Sequence, residues 1–95
     1  MNIDELRRQI DAVNHQILHL LADRMELSKK MALSKRQEQL PVLDPSREKR
    51  QMDQVLHLAQ QLGLSPFIVE EVFRLIVEYS KIIMHLELSH DKTAV

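Results

Sequence analysis

The sequence predicts an all-α fold made of three helices, one long and two shorter. Its composition favours helices, because the 95 residues include one glycine, three prolines and three aromatic residues and are otherwise rich in good helix formers. Apolar residues in the first third of the chain alternate at steps of three and four, the spacing of one helix face. The segments predicted as the second and third helices each begin with a capping residue followed by proline. No stretch of the sequence alternates between apolar and polar residues as a strand does.

The first helix is predicted from about residue 3 to residue 38 and carries one apolar seam. Asn2, followed by Glu5 three residues later, has the pattern of a capping box that begins a helix. The seam consists of Ile3, Leu6, Ile10, Val13, Ile17, Leu20, Leu27 and Met31. Arg24 falls on this seam, where a hydrophobic residue is expected. Because an unpaired buried charge is costly, Arg24 should have an anionic partner.

Two further cations of this helix have defined positions relative to Arg24. Lys35 lies eleven residues later, which places it about 16 Å along the axis and roughly 20° around it, so both cations project from nearly one face. Arg7 lies seventeen residues earlier, about 25 Å away and roughly 100° around the helix. Arg7 therefore cannot contact the same small ligand within one chain, and a second chain would have to supply it.

Proline and capping residues delimit the second helix. Pro41 disfavours helical geometry at the residue before it and removes an amide donor, so it ends the first helix. Asp44 is the predicted N-cap of a helix over residues 45–62, because the proline that follows it fits the first helical position. Gly63 is the natural C-terminal cap of this helix.

The third helix is predicted from residue 66 to about residue 88, and we expect the tail, residues 89–95, to be frayed. We interpret residues 1–95 as a single domain.

The three predicted helices would be about 54, 27 and 34 Å long, so one chain cannot cover the whole seam of the first helix. Its uncovered half would be a large apolar patch, which usually marks a protein interface. We therefore expect an intertwined homodimer whose first helices pack together.

The charge balance and the absence of cysteine exclude several classes of function. A net charge of -1 gives no reason to expect a nucleic-acid surface or a polybasic membrane patch. Without cysteine, disulfides, thiolate metal sites and cysteine nucleophiles are excluded. His15 and His19, one turn apart, could bind a metal in principle, but without a third ligand a solvated pair is expected. No apolar targeting or membrane-spanning run is visible, so we expect a cytoplasmic protein.

Five short segments occur along the chain in a defined order and spacing: Leu6-Arg7, Ile10-Asp11, Leu20-Leu21-Ala22-Asp23-Arg24, Lys35 and Val42-Leu43-Asp44-Pro45-Ser46-Arg47-Glu48. In this order and spacing they resemble the all-helical, type II chorismate mutase family in its single-domain form, from about residue 3 to residue 88. The resemblance implies a homodimer that converts chorismate to prephenate by a Claisen rearrangement. Such a concerted rearrangement needs no metal, cofactor, nucleophile or general base, but a dianion held in a compact conformer.

The resemblance also implies roles for three cations of the first helix. Arg24 and Arg7, the latter from the partner chain, would bind the two carboxylates of chorismate. Arginine suits this role because its guanidinium pairs with a carboxylate through two parallel hydrogen bonds. Lys35 would donate to a carboxylate and to the ether oxygen of the breaking bond.

Five later residues would complete the site that the resemblance implies. Asp44, Arg47 and Glu48 would close it at the start of the second helix, with Glu48 holding the ring hydroxyl. Ser80 would line the wall from the third helix. Met84 departs from the family pattern, in which a Gln or Glu at this position donates a second hydrogen bond to the ether oxygen. A thioether cannot donate a hydrogen bond.

Simpler interpretations of the same residues remain open in the sequence. Arg24 could pair with a local carboxylate such as Asp23 or Glu48, and Lys35 alone could be a solvated surface residue. Two other functions also remain: an isochorismate-pyruvate lyase, which shares this fold and its cationic clamp, and a non-catalytic helical dimer. Met84 favours the non-catalytic interpretation, and the set of cations opposes it.

Overall fold

The computed structural model describes residues 1–93, with side chains described through residue 89. It consists of three helices in the order α1 (Ile3–Gln37), α2 (Pro45–Gln61) and α3 (Pro66–Thr93). No strand occurs within this described part of the chain. The prediction of an all-helical fold with one long helix followed by two others is therefore confirmed.

The first turns of α1 and α2 have the caps that the sequence predicts. The side chain of Asn2 accepts a hydrogen bond of 2.8 Å from the amide of Glu5. Asp44 does the same for the amide of Arg47, at 3.1 Å, with Pro45 at the first helical position. Each side-chain oxygen satisfies one of the amides that a helix start leaves without a partner.

Both α1 and α2 end in the same six-residue hydrogen-bonding pattern. After α2, Gly63 has a φ of 73°, and the amide of Leu64 donates to the carbonyl of Ala59 at 2.9 Å. After α1, Gln39 occupies the equivalent left-handed position with a φ of 58°, and the amide of Leu40 donates to the carbonyl of Lys35 at 2.8 Å. This is the Schellman pattern. The Schellman pattern ends α1 at Gln37, before Pro41.

The third helix continues five residues past its predicted end near residue 88, to Thr93. The predicted end of the helix is therefore wrong, because residues 89–93 belong to α3, and the last two residues of the predicted tail lie outside the described part. No glycine or proline interrupts residues 89–93, so nothing local stops the helix. The Ser89 hydroxyl donates to the carbonyl of His85 at 3.1 Å within this last stretch.

The helix α3 packs against both α1 and α2, whereas no Cα atom of α1 lies within 8 Å of one of α2 in the described chain. The buried side chains are few and small in total volume: Met25, Ala32, Ala59, Ser80 and Met84. The two buried residues of α1, Met25 and Ala32, lie in its C-terminal half. The side chains of residues 3–20 are exposed except that of Glu5, so this half of α1 projects without cover from α2 or α3. The dimensions of 57 × 28 × 16 Å reflect this projection.

Two apolar stripes are exposed on the surface of the single chain. The α1 stripe consists of Ile3, Leu6, Ile10, Val13, Ile17 and Leu20, whose exposed fractions are 42–67%. The α3 stripe consists of Ile68, Val72, Leu75, Tyr79, Ile82 and Leu86, whose exposed fractions are 45–73%. Both stripes have the alternating spacing of a helix face that packs on another helix. No helix among residues 1–93 is both long and apolar enough to span a membrane.

Candidate active site

A cavity of about 430 Å³ is bounded by α1, the α1–α2 connection, α2 and α3. Of the eight predicted site residues, seven line it: Arg24, Lys35, Asp44, Arg47, Glu48, Ser80 and Met84. The helix packing therefore brings together residues that lie up to sixty positions apart in the sequence. Their roles in binding or catalysis stay predictions.

Arg24 points into this cavity from α1 and is held by hydroxyl groups. Its Nη1 donates a hydrogen bond to Ser80 Oγ on α3. Ser28 Oγ donates to the Arg24 carbonyl at 3.0 Å and lies 3.1 Å from Ser80 Oγ. Desolvation of the half-buried guanidinium lowers the pKa of Arg24 from its ordinary value. An arginine nevertheless stays charged in proteins, so this guanidinium is a cation partly removed from water.

No carboxylate of residues 1–89 forms an ion pair with Arg24. The alternative in which Arg24 pairs with Asp23 or Glu48 is therefore not what the structure contains. The Ser80 hydroxyl orients the guanidinium but does not neutralise its charge. A half-buried cation in this state favours an anionic ligand.

Lys35 lies at the other end of the cavity, also half-buried. Its Nζ donates to the carbonyl of Val42 in the α1–α2 connection at 2.7 Å. An ammonium group has three donors, so this bond leaves others available. Like Arg24, Lys35 has no carboxylate partner in the part of the chain whose side chains are described. The cavity thus has a cation without an ion pair at each end.

The start of α2 supplies three charged residues to the cavity wall. Asp44 uses its carboxylate as the helix cap, Arg47 is exposed at the rim, and Glu48 lies half-buried. Glu48 Oε1 is 3.2 Å from the Nζ of Lys81 on α3. This pair connects α2 to α3 across the cavity wall.

Met84 lies on the cavity wall and is 8% exposed. It is one turn after Ser80 on α3, so its thioether faces the same space as the Ser80 hydroxyl. The thioether provides no hydrogen-bond donor at this position. Any donor to a ligand atom near Met84 must come from another residue of the wall.

The model of the family described as chorismate mutase type II matches residues 6–85. The chain belongs to the chorismate mutase type II family. The resemblance stated from the sequence is therefore confirmed, and with it the expected enzyme class, an isomerase.

Individual relatives of this chorismate mutase family member differ in length. A chorismate mutase of Methanocaldococcus jannaschii is 32% identical over 90 residues, which cover 93% of this chain and 91% of that protein. A T-protein of Enterobacter agglomerans is 36% identical over 75 residues, 79% of this chain but 20% of that protein. A bifunctional chorismate mutase/prephenate dehydratase of Aquifex aeolicus is 29% identical over 85 residues, 90% of this chain and 24% of that protein. This chain thus spans about a fifth to a quarter of the length of the two longer proteins.

Three polar residues on the cavity wall of this family member are absent from the predicted site: Ser28, Gln51 and Lys81. Ser28 and Gln51 each lie one helical turn after a predicted site residue, and this spacing is a sequence signal that could identify them. Lys81 lies three residues before Met84, but no sequence signal indicates its pairing with Glu48, which is on another helix. With Lys81 included, the wall formed by residues 1–89 carries four cations and two carboxylates, an excess of two positive charges.

Arg7 does not line the cavity of its own chain. It lies on the projecting half of α1, where its side chain is 73% exposed and 3.7 Å from Asp4. This agrees with the helical geometry, which separates Arg7 from Arg24. The rings of His15 and His19 have centroids 4.4 Å apart and planes tilted by 59°, and no third possible metal ligand accompanies them among the described side chains.

Proposed function

We propose that this protein is a chorismate mutase that converts chorismate to prephenate, in the cytoplasm, as a step towards phenylalanine and tyrosine. One observation carries the proposal: the cavity has an excess of two positive charges, and two of its half-buried cations have no carboxylate partner. Chorismate carries two carboxylates, so its charge complements that of the cavity. The names of the relatives in this family support the same substrate.

Arg24 would bind one carboxylate of the substrate. Its guanidinium is already oriented by Ser80, so little side-chain entropy would be lost on binding. The rearrangement breaks an ether C–O bond while a C–C bond forms within the same molecule, so every atom is retained. Catalysis then consists of holding the two reacting ends together and stabilising negative charge on the ether oxygen.

Lys35 would donate to that ether oxygen. Its Nζ is fixed by the Val42 carbonyl at 2.7 Å and still has donors for a ligand. Met84 cannot supply the second donor, so Lys35 would be the principal source of stabilisation there. Arg47 and Asp44 would close the rim, and Glu48 would accept a hydrogen bond from the ring hydroxyl.

The functional unit in this proposal is a homodimer. The α1 stripe, from Ile3 to Leu20, is about 26 Å long, and the α3 stripe, from Ile68 to Leu86, is about 27 Å long. Two exposed apolar stripes of similar length and matching spacing would be covered by the partner chain in an intertwined dimer whose first helices pack together. Arg7 follows the stripe residue Leu6, so in such a dimer it would lie beside the cavity of the partner subunit.

The test is the loss of chorismate followed by ultraviolet absorbance, with prephenate identified as the product. Arg24→Ala should lower kcat/KM by at least about 100-fold, since one preorganised donor is worth that much. Arg50→Ala is the matched control, because Arg50 is exposed on α2 outside the cavity; it should remain close to the wild type.

Three results would contradict the proposal in different ways. Full activity of Arg24→Ala would contradict the proposed role of Arg24 in binding an anion. Formation of salicylate and pyruvate from isochorismate, with chorismate left intact, would indicate the lyase. A wild-type dimer that turns over neither substrate would indicate the non-catalytic function.

A further inference from the structure

Lys81 is a cation of the cavity wall to which the proposed reaction gives no role. It lies on α3 immediately after Ser80 and three residues before Met84. Its Nζ is 3.2 Å from Glu48 Oε1, on α2, and 3.3 Å from Glu78 Oε1, on its own helix. Glu48 lines the cavity and Glu78 does not. Lys81 therefore joins a carboxylate of the site to one outside it.

Glu48 has no other side-chain partner among residues 1–89. Glu48 lies in the first turn of α2, and its side chain has several rotatable bonds. The ion pair with Lys81 therefore determines where the Glu48 carboxylate points. A carboxylate has two oxygens and about four lone-pair sites. The contact with Lys81 occupies Oε1 and leaves Oε2 available to a ligand in the cavity.

A second consequence concerns Arg24. Glu48 and Arg24 both line the main cavity and a second, small cavity of about 10 Å³, so they face a common space. A carboxylate that lost its cation there would be attracted to the unpaired guanidinium of Arg24. Such a pair would neutralise the charge that the substrate is expected to meet. In the structure Glu48 pairs with Lys81 and not with Arg24.

We propose that Lys81 is a positioning residue that holds Glu48 towards α3, so that Glu48 can accept the substrate hydroxyl while Arg24 stays available for a carboxylate. This inference rests on the proposed function. The Glu48 carboxylate also raises the pKa of Lys81, so the ammonium is fully charged at neutral pH. Lys81 and Glu48 are each about one-third exposed, so solvent screens their attraction, and we expect the pair to add little to folding stability.

The experiment is a double-mutant cycle on kcat/KM for chorismate, with the variants Lys81→Met, Glu48→Gln and the double variant. Gln keeps an acceptor oxygen at position 48 but removes the negative charge with which Lys81 pairs. In the wild-type background Lys81→Met should lower kcat/KM about tenfold, mainly through KM, as expected for a lost preorganised contact. In the Glu48→Gln background the same substitution should have almost no further effect.

Two controls accompany the cycle. Glu78→Gln removes the other carboxylate partner of Lys81 and should leave kcat/KM unchanged, because Glu78 lies outside the cavity. Lys81→Arg restores a cation and should recover most of the activity that Lys81→Met loses. Urea unfolding of each variant should give nearly the wild-type midpoint, which separates a positioning role from a structural one.

The inference is overturned if Lys81→Met lowers kcat/KM equally in both backgrounds, since Lys81 would then act independently of Glu48. It is also overturned if Lys81→Met has full activity, or if its loss follows a lower unfolding midpoint. A wild-type protein without chorismate turnover would instead refute the proposed function itself. The wild-type reaction in the same assay therefore distinguishes the two failures.

Discussion

At the scale of single residues, the candidate site is defined by charge that is oriented but not neutralised. Ser80 holds the Arg24 guanidinium and the Val42 carbonyl holds the Lys35 ammonium. Both are neutral acceptors, so the two cations keep their full charge for a ligand. Preorganised charge of this kind is the largest contribution that a protein makes to a reaction that needs no chemical group from it.

Met84 provides the first test at this scale. We expect Met84→Gln to raise kcat for chorismate by about tenfold, because in the proposed binding mode it would add a hydrogen-bond donor beside the ether oxygen. The measurement is steady-state kinetics with the wild type alongside. Met84→Leu, which is apolar and lacks any donor, should leave kcat unchanged. Equal rates for the Gln and Leu variants would show that Met84 does not face the ether oxygen.

At the scale of the helix, the beginnings were easier to predict than the ends. Asn2 and Asp44 act through contacts three residues away, so the sequence alone identifies them. The end of α1 depends on Gln39 in a left-handed conformation. Glutamine rarely adopts this conformation, and no sequence pattern predicts it here. The end of α3 was missed because no stop signal exists there. Lys81 could not be assigned because its pairing with Glu48 arises only when α2 and α3 pack.

Gly63 allows a test of this helix-end geometry. Gly63 has a φ of 73°, and no atom lies within 4 Å of a Cβ added to it. Gly63→Ala would therefore be strained only by the left-handed backbone conformation. We expect it to lower the free energy of unfolding by about 1 kcal/mol. Urea unfolding at one fixed protein concentration is the measurement, since a dimer's stability depends on concentration. Gly63→Asn should lose less, because asparagine tolerates this conformation; equal losses would contradict the explanation.

At the scale of the whole molecule, a single chain leaves two apolar stripes uncovered, and in the proposed dimer it also leaves the site without Arg7. The α1 stripe and the α3 stripe are both exposed, and Arg7 stands on the first of them, away from its own cavity. One contact between two copies would cover both stripes and deliver Arg7 to the partner's cavity. In the proposed dimer, assembly and catalysis therefore depend on the same surface, because α1 is too long for one chain to cover.

This dependence predicts complementation between two inactive variants. Arg7→Ala and Arg24→Ala should each lose at least about 99% of kcat/KM, as expected when a preorganised donor is removed. Unfolded together and refolded as an equal mixture, they should regain about one quarter of wild-type activity, because half the dimers are mixed and each mixed dimer has one intact site. The measurement is chorismate turnover before and after refolding, with each variant refolded alone as the control. If Arg7 instead served its own chain, every subunit would still carry one defect, and the mixture would stay as inactive as its components.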